Sequence, residues 1–244
     1  DAKHLPDSCD LVVYSHAIPE RNPEREAAKA REIPQMTYPE ALGHFTEDKK
    51  TICVTGTHGK TTTTAMLAKV LIDSGLDPTV IVGTEIAEWG GLNYRKGESD
   101  YVLLEACEHK RSFLHLHPQY LVLTNVDLDH LDYYKDKADY DAAFCEAARQ
   151  VPSRGVLVYF DDDSSSKEVA SSADCQRIAL QKGDVQAAGI ELFVPGQHNR
   201  ENALLAYALA KYLLTEEAET AYGSQSSDLI EEGIRVSLKK FSGS

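Results

Sequence analysis

No apolar run in the 244-residue sequence approaches the 18 residues of a membrane-spanning helix, so no such span is encoded. The opening residues, DAKHLPDSCD, hold no signal-peptide apolar region. Cysteine is scarce: Cys9, Cys53, Cys107, Cys145 and Cys175 are odd in number, widely spaced and without a C-x-x-C pair. That argues against a zinc ribbon or disulfide framework and for reduced, cytosolic thiols. Basic residues are also short, 25 Lys and Arg against 39 Asp and Glu, for a formal charge of -14. A chain this acidic is a poor general binder of nucleic acid or anionic membrane, because phosphate contacts need clustered Lys and Arg, although local basic sites remain open. No internal repeat is present. What is left, 42% hydrophobic and 26% charged residues, is ordinary globular composition. The length fits one large domain or one and a half ordinary ones. No initiator Met opens the chain and it stops at Phe241-Ser-Gly-Ser, from which a fragment is expected.

Residues 1–45 predict a strand–loop–helix–strand unit: DLVVY at 10–14, the turn Ser15-His16-Ala17-Ile18-Pro19, a helix over 24–31, and extended chain at Ile33-Pro34. Residues 46–50 are polar and predict a linker. Thereafter β and α signals alternate. Buried strands are predicted at 51–55 (TICVT), 79–82, 101–105 (YVLLE), 120–124 (YLVLT) and 156–160 (VLVYF). Helices are predicted at 60–74, 139–150, 200–214 and, more weakly, 228–240, while the Ser-rich stretch 161–172 predicts a surface loop. Continuous apolar strands between helices imply an α/β fold with a mostly parallel sheet covered on both faces.

The strongest motif is Gly56-Thr57-His58-Gly59-Lys60-Thr61-Thr62, after a strand and at the start of a helix. Glycines let backbone N–H groups curl around phosphate oxygens, the helix N-terminus adds positive potential, Lys60 adds a mobile charge, and Thr61 offers a hydroxyl to Mg²⁺. Val54 stands where the usual phosphate loop has its first glycine, so the match is partial. Glu105 ends a strand at the edge where open α/β sheets bind ligands, and a carboxylate there suits Mg²⁺ or simply meets solvent. Thr124-Asn125-Val126-Asp127-Leu128-Asp129-His130-Leu131-Asp132 brings three carboxylates and an imidazole to the same edge, as a metal site or an Asp-rich helix cap. A zinc hydrolase is the weaker idea, since no paired His spacing supports it. In Gly196-Gln197-His198-Asn199-Arg200-Glu201-Asn202, Asn199 suits an N-cap, and with His198 and Asn202 it could grip a purine. His109 and Arg111 form a basic spot for an anionic substrate, or a mixed-charge loop. His115 and His117 sit on a strand-like segment and read as structural, and Trp89 beside Gly90-Gly91 could line or plug a pocket.

Together these segments resemble the Mur ligase family, ATP-dependent amino-acid ligases of peptidoglycan synthesis. The loop T-G-T-H-G-K-T-T-T-T at 55–64 resembles the family's shortened variant, with His58 typical of the branch acting on UDP-N-acetylmuramate or its peptide. Residues 15–19, Glu105-Ala106-Cys107-Glu108, Ser112-Phe113-Leu114-His115-Leu116, Thr124-Asn125, Asp129-His130-Leu131-Asp132 and Pro195-Gly196-Gln197-His198-Asn199 fit that branch in order. Residues 184–195 look shorter than the family's corresponding segment.

The resemblance implies the C-terminal part of a Rossmann-like UDP-substrate domain at 1–45, a central ATP-binding domain at 46–244, and no C-terminal amino-acid-binding domain in this sequence. It implies ATP and Mg²⁺ as cofactors and UDP-N-acetylmuramate and L-alanine as substrates, joined through an acyl phosphate in the cytoplasm. Lys60 and the backbone of residues 56–62 would hold the phosphates. Thr61 and Glu105 would hold one Mg²⁺, and Glu105 and His130 a second. His198, Asn199 and Asn202 would hold adenine, and Ser15, His16, Ala17 and Asn125 would lie on the UDP-sugar side. A folylpolyglutamate or cyanophycin-type ligase, a nucleotide-binding module without ligation chemistry, and a generic nucleotide hydrolase are the alternatives.

Overall fold

In the computed structural model, residues 2–222 and 227–243 are described. The first unit is small. Strand β1 (Val12–Tyr14) pairs in parallel with β2 (Gln35–Thr37), joined by α1 (Pro23–Ala30), whose N-cap Asn22 accepts from the backbone N–H groups of Glu24 and Arg25. Directly after β2 comes α2 (Tyr38–Thr46), closed by a capping box between Thr37 and Glu40. This helix was not expected. Thr46, predicted to open a linker, is instead its buried last residue, and its carbonyl accepts from Thr51 Oγ1. Gly43 of α2 rests against the His115 backbone so closely that a Cβ would stand 2.3 Å from the carbonyl oxygen.

The second unit is a seven-stranded sheet. Its elements follow in order: β3 (Lys50–Thr55), α3 (Lys60–Asp73), β4 (Thr79–Ile86), β5 (Leu92–Arg95), β6 (Tyr101–Glu105), β7 (Tyr120–Leu123), α4 (Lys137–Arg149), β8 (Val156–Phe160), α5 (Ser164–Ser171), β9 (Gln176–Leu180), α6 (Asp184–Ala187), α7 (Gln197–Tyr222) and α8 (Ser227–Lys239). Strand order is β5-β4-β6-β3-β7-β8-β9, parallel except for the β4–β5 pairing. The mostly parallel α/β expectation therefore holds. Alternate residues of the central strands serve opposite faces. Ile52 and Val54 pack with α3, α7 and α8, whereas Cys53 joins Leu104, Leu123 and Leu157 against α4 and α5. Burial pushes the Cys53 thiol up to about 12.

Two local expectations fail, and strand β9 was not foreseen. The Ser-rich stretch 161–172 contains α5, started by Asp163, whose carboxylate accepts from the Ser166 N–H and overrides the low propensity of three serines. His115 lies in a 3₁₀ segment, His109–His115, rather than on a strand. Strand β9 was missed because its side chains are mostly exposed and give no apolar run. Among the described residues, no helix is long and apolar enough to cross a membrane.

Candidate active site

Strand β3 is flanked by β6 and β7, so the chain passes from β6 over β3 to reach β7. This arrangement opens a crevice at the carboxyl ends of the three strands. The loop leaving β3 lies at its centre. Gly56 has φ +134° and Gly59 has φ +83°, both in the region open to glycine. Gly59 occupies the N-cap of α3 with no side-chain cap, which leaves the first N–H groups of the helix for a ligand. A Cβ at Gly56 would stand 2.1 Å from Thr124 Oγ1.

The loop is tied to the end of β7. Asn125 accepts from the His58 N–H at 2.9 Å and donates back to the His58 carbonyl at 2.9 Å, which also accepts from Thr124 Oγ1 at 2.6 Å. Asn125, expected on the UDP-sugar side, is thus a clamp on the loop. Thr57 Oγ1 donates to the Asp127 carbonyl at 2.6 Å, accepts from the Asp127 N–H at 2.9 Å, and lies 2.9 Å from the Tyr140 hydroxyl. Burial raises the Tyr140 phenol well above its ordinary value and keeps it a neutral O–H.

Two acidic residues divide the work. Glu105 Oε2 accepts from Thr61 Oγ1 at 2.9 Å and from the Gly83 N–H at 2.7 Å. Glu108, three residues on and 1% exposed, faces the Lys60 ammonium at 2.9 Å and His130 Nε2 at 3.3 Å. Lys60 Nζ also donates to the carbonyls of Gly56 at 2.5 Å and Thr57 at 3.0 Å, folding back across its own loop. His130, expected to share a second Mg²⁺ with Glu105, here has its Nε2 against Glu108, while Glu105 bonds Thr61 and Gly83. The strand ends at Glu105, and the irregular residues 106–108 that follow, ahead of the 3₁₀ segment His109–His115, turn Glu108 inward beneath the loop. Glu108 was missed as a site residue. The only signal was its acidic charge within E-A-C-E. Arg111 is taken up by Asp139 at 2.6 Å and Glu146 at 3.3 Å, so the mixed-charge reading fits it better than an anion site.

Ser15, His16 and Ala17 reach the same edge. Together with Tyr38, Glu105, Cys107 and Lys110 they line a cavity of about 330 Å³ between the N-terminal unit and the sheet. At the start of α7, Asn202 is brought to the loop, its amide against Gly59. Asn199 is inside the helix rather than at its cap and donates to the Pro195 carbonyl at 2.7 Å. The His198 side chain is 97% exposed. Trp89 lines a small cavity of about 220 Å³ with Ala65, Ile72 and Phe241.

Comparison with known proteins gives this geometry a context. The chain is 37% identical over 225 residues to a UDP-N-acetylmuramate–L-alanine ligase of Desulfitobacterium hafniense, covering 83% of this chain and 50% of the relative. It is 40% identical over 220 residues to the ligase of the same name from Clostridium botulinum, covering 80% and 48%. The chain spans about half the length of the curated relatives it matches. Among solved structures, a UDP-N-acetylmuramate–alanine ligase of Thermotoga maritima superposes with a TM-score of 0.77 at 27% identity, over 100% of this chain and 57% of that one. A UDP-N-acetylmuramate:L-alanyl-γ-D-glutamyl-meso-diaminopimelate ligase of Neisseria reaches 0.82 at 24% identity, over 100% and 82%, a likeness of fold. The model of the Mur ligase family catalytic domain matches residues 1–50, and that of the Mur ligase middle domain matches 54–182. Since the middle-domain match alone takes in more than half of the 244 residues, the chain belongs to the Mur ligase family.

Proposed function

We propose that the protein carrying this chain is an ATP-dependent ligase that joins L-alanine to the carboxylate of UDP-N-acetylmuramate. In this reading residues 1–45 are the end of a UDP-substrate domain and 46–244 the ATP-binding domain. The observation that carries it is the loop on β3, a helix N-terminus with an unused cap, a partly buried lysine and a neighbouring carboxylate. The carboxylate oxygen of the muramyl group attacks the γ-phosphorus, and ADP leaves. The amine of alanine then attacks the acyl carbon, and phosphate leaves. Such transfers need positioning and charge neutralisation more than covalent protein chemistry.

Lys60 and the N–H groups of residues 56–62 bind and orient the phosphates. For that role Lys60 exchanges its bonds to Gly56 and Thr57 for phosphate oxygens. Thr61 and Glu105 would hold Mg²⁺. Their oxygens stand 2.9 Å apart, about the separation of neighbouring ligands in an octahedron with 2.0–2.1 Å bonds. The ion supplies charge neutralisation of the phosphates. Asn202, beside Gly59, and His198 and Asn199 one turn earlier form the adenine side. Ser15, His16 and Ala17, lining a cavity shared with Glu105, hold the carboxylate-bearing substrate. Five free cysteines suit a reducing cytoplasm.

The test is phosphate release by the full-length protein, with the nucleotide-linked product followed by mass spectrometry. Release and a UDP-muramyl-alanine product only when both UDP-N-acetylmuramate and L-alanine are present is the expected result. Release without either acceptor would make it a nucleotide hydrolase. ATP binding without turnover would make it a binding module, and product with a tripeptide but not alanine would make it a recycling ligase.

A further inference from the structure

The loop after β3 and the segment after β6 each rest on one buried phenol, and the two phenols touch. Tyr134 and Tyr140 are 1% and 0% exposed, and their rings meet edge to face with centroids 4.8 Å apart. The Tyr140 hydroxyl, in the first turn of α4, lies 2.9 Å from Thr57 Oγ1, and the Tyr134 hydroxyl donates to the Glu108 carbonyl. Thr57 and Glu108 are also where Lys60 is held: its ammonium donates to the Thr57 carbonyl at 3.0 Å and meets the Glu108 carboxylate at 2.9 Å. We propose, building on the nucleotide reading of the loop, that Tyr134 and Tyr140 are a pair of positioning residues that fix the two groups between which Lys60 stands.

The direction of the Tyr140 bond follows from counting protons. A threonine hydroxyl has one proton and two lone pairs. That of Thr57 gives its proton to the Asp127 carbonyl at 2.6 Å, an atom that can only accept, and takes the Asp127 N–H at 2.9 Å. One lone pair remains, so Tyr140 is the donor. Burial raises both phenols above their ordinary value, so each stays a neutral O–H. Had the rings served packing alone, phenylalanine would fill the space, as Phe144 does beside Tyr140 with centroids 5.1 Å apart. Instead one stack sends its two hydroxyls to two different segments of the site.

The stack is itself anchored. The Arg111 guanidinium lies 5.7 Å from the Tyr134 ring centroid and bonds Asp139, the chain neighbour of Tyr140, at 2.6 Å. Lys110 and Arg111 stand at φ +54° and +56°, a conformation that non-glycine residues keep only where their surroundings fix them. With the rings locked, the separation of Thr57 and Glu108 is set before ATP arrives, and Lys60 has only its own side chain to move. Fixing a site in advance removes ordering cost from the binding step.

ATP affinity of the full-length protein by calorimetry, in Tyr140→Phe and Tyr134→Phe with and without Lys60→Ala, tests the pair. Each phenylalanine keeps the ring and removes one hydrogen bond, so ATP binding should weaken about three- to tenfold. In the Lys60→Ala background the same changes should have no further effect, since they act through that lysine. A merely structural role would lower the melting temperature and leave the ATP affinity of the folded protein unmoved. Thr57→Val removes the acceptor of the Tyr140 bond and serves if Tyr140→Phe fails to fold. Hydrogen exchange of the free protein reads the pair without nucleotide: Tyr140→Phe should speed exchange at 56–62 and Tyr134→Phe at 106–112. Unchanged ATP affinity in both phenylalanine variants, or an equal loss with and without Lys60, overturns the proposal. A parent that binds no ATP overturns the nucleotide reading instead, and exchange then decides the pair: faster exchange in those segments upholds it, unchanged exchange overturns it.

Discussion

The loop after β3 and the N-terminal part of α7 meet where Asn202 faces Gly59, yet they are built by opposite means. The loop is fixed by backbone. Two glycines at positive φ shape it, and Thr124, Asn125 and Asp127 hold it through main-chain atoms. The helix start is an ordinary one whose His198 stands in solvent. A loop of N–H groups, proposed for phosphate, exists before its ligand arrives, whereas on the side proposed for adenine only Asn202 is buried in place and the exposed His198 must settle with the ligand.

The largest expected effect separates charge from shape in the loop. Lys60→Ala removes the proposed phosphate contact and leaves the buried Glu108 with His130 as its ion-pair partner among the described residues. Losing a charge-assisted bond of about 1.5–3 kcal/mol should weaken ATP binding roughly 10- to 100-fold by calorimetry. The same variant should lose about 2–3 kcal/mol of stability, because one partner of a buried pair is gone. Adding Glu108→Gln should recover part of the stability and none of the affinity. Unchanged ATP affinity in Lys60→Ala would remove the loop from the nucleotide site.

Gly59→Ala should come next, at about 1–3 kcal/mol in a denaturant melt, from an alanine held at φ +83°. Its Cβ would also stand 2.5 Å from Asn202 Oδ1, so Gly59→Ala combined with Asn202→Ala should recover the clash and not the backbone strain. Thr57→Val keeps the volume but strands the Asp127 N–H, at a cost of about 1–2 kcal/mol. His198→Ala should change stability by less than about 0.5 kcal/mol and lower ATP affinity a few-fold. Equal affinity for ATP in parent and variant would take His198 out of the adenine side.

The smallest effect lies outside both regions and serves as a control. Lys211, with Tyr207 and Ser227, holds the Glu231 carboxyl down to about 2 from its ordinary 4.5. A carboxylate depressed on folding adds stability above about 4.5 that is lost as pH falls toward 2. Glu231→Gln should flatten that acid limb of a thermal-melt series and leave nucleotide affinity alone.

Much of the sheet was legible because β3, β6, β7 and β8 are apolar on both faces and stand out as runs. The phosphate loop was legible because glycines and a lysine between strand and helix have few other uses. The partnerships were not. Nothing in the order of residues says that Glu108, rather than Glu105, turns toward His130, since the irregular stretch 106–108 decides it. Nor does it say that Asn125 spends both amide groups on His58. Helix α2 was hidden by Pro39 and Gly43, residues that weaken a helical pattern but here sit at its first turn and at a tight contact.

That contact has a mechanical consequence. Where Gly43 meets the His115 carbonyl, main chain abuts main chain, and no side chain lies between to act as a bearing. The neighbouring Leu42 packs on the buried cluster of Phe113 and Leu116 and can be exchanged, but the main-chain contact itself cannot be retuned that way and leaves little room to slide. Any relative movement of the N-terminal unit and the sheet must bend the chain elsewhere, and the short stretch between Thr46 and Lys50 is where α2 hands over to β3. The joint behaves as a stop, and the pocket behind it, lined from both sides by Ser15 and Glu105, keeps its width as long as that stop is in place.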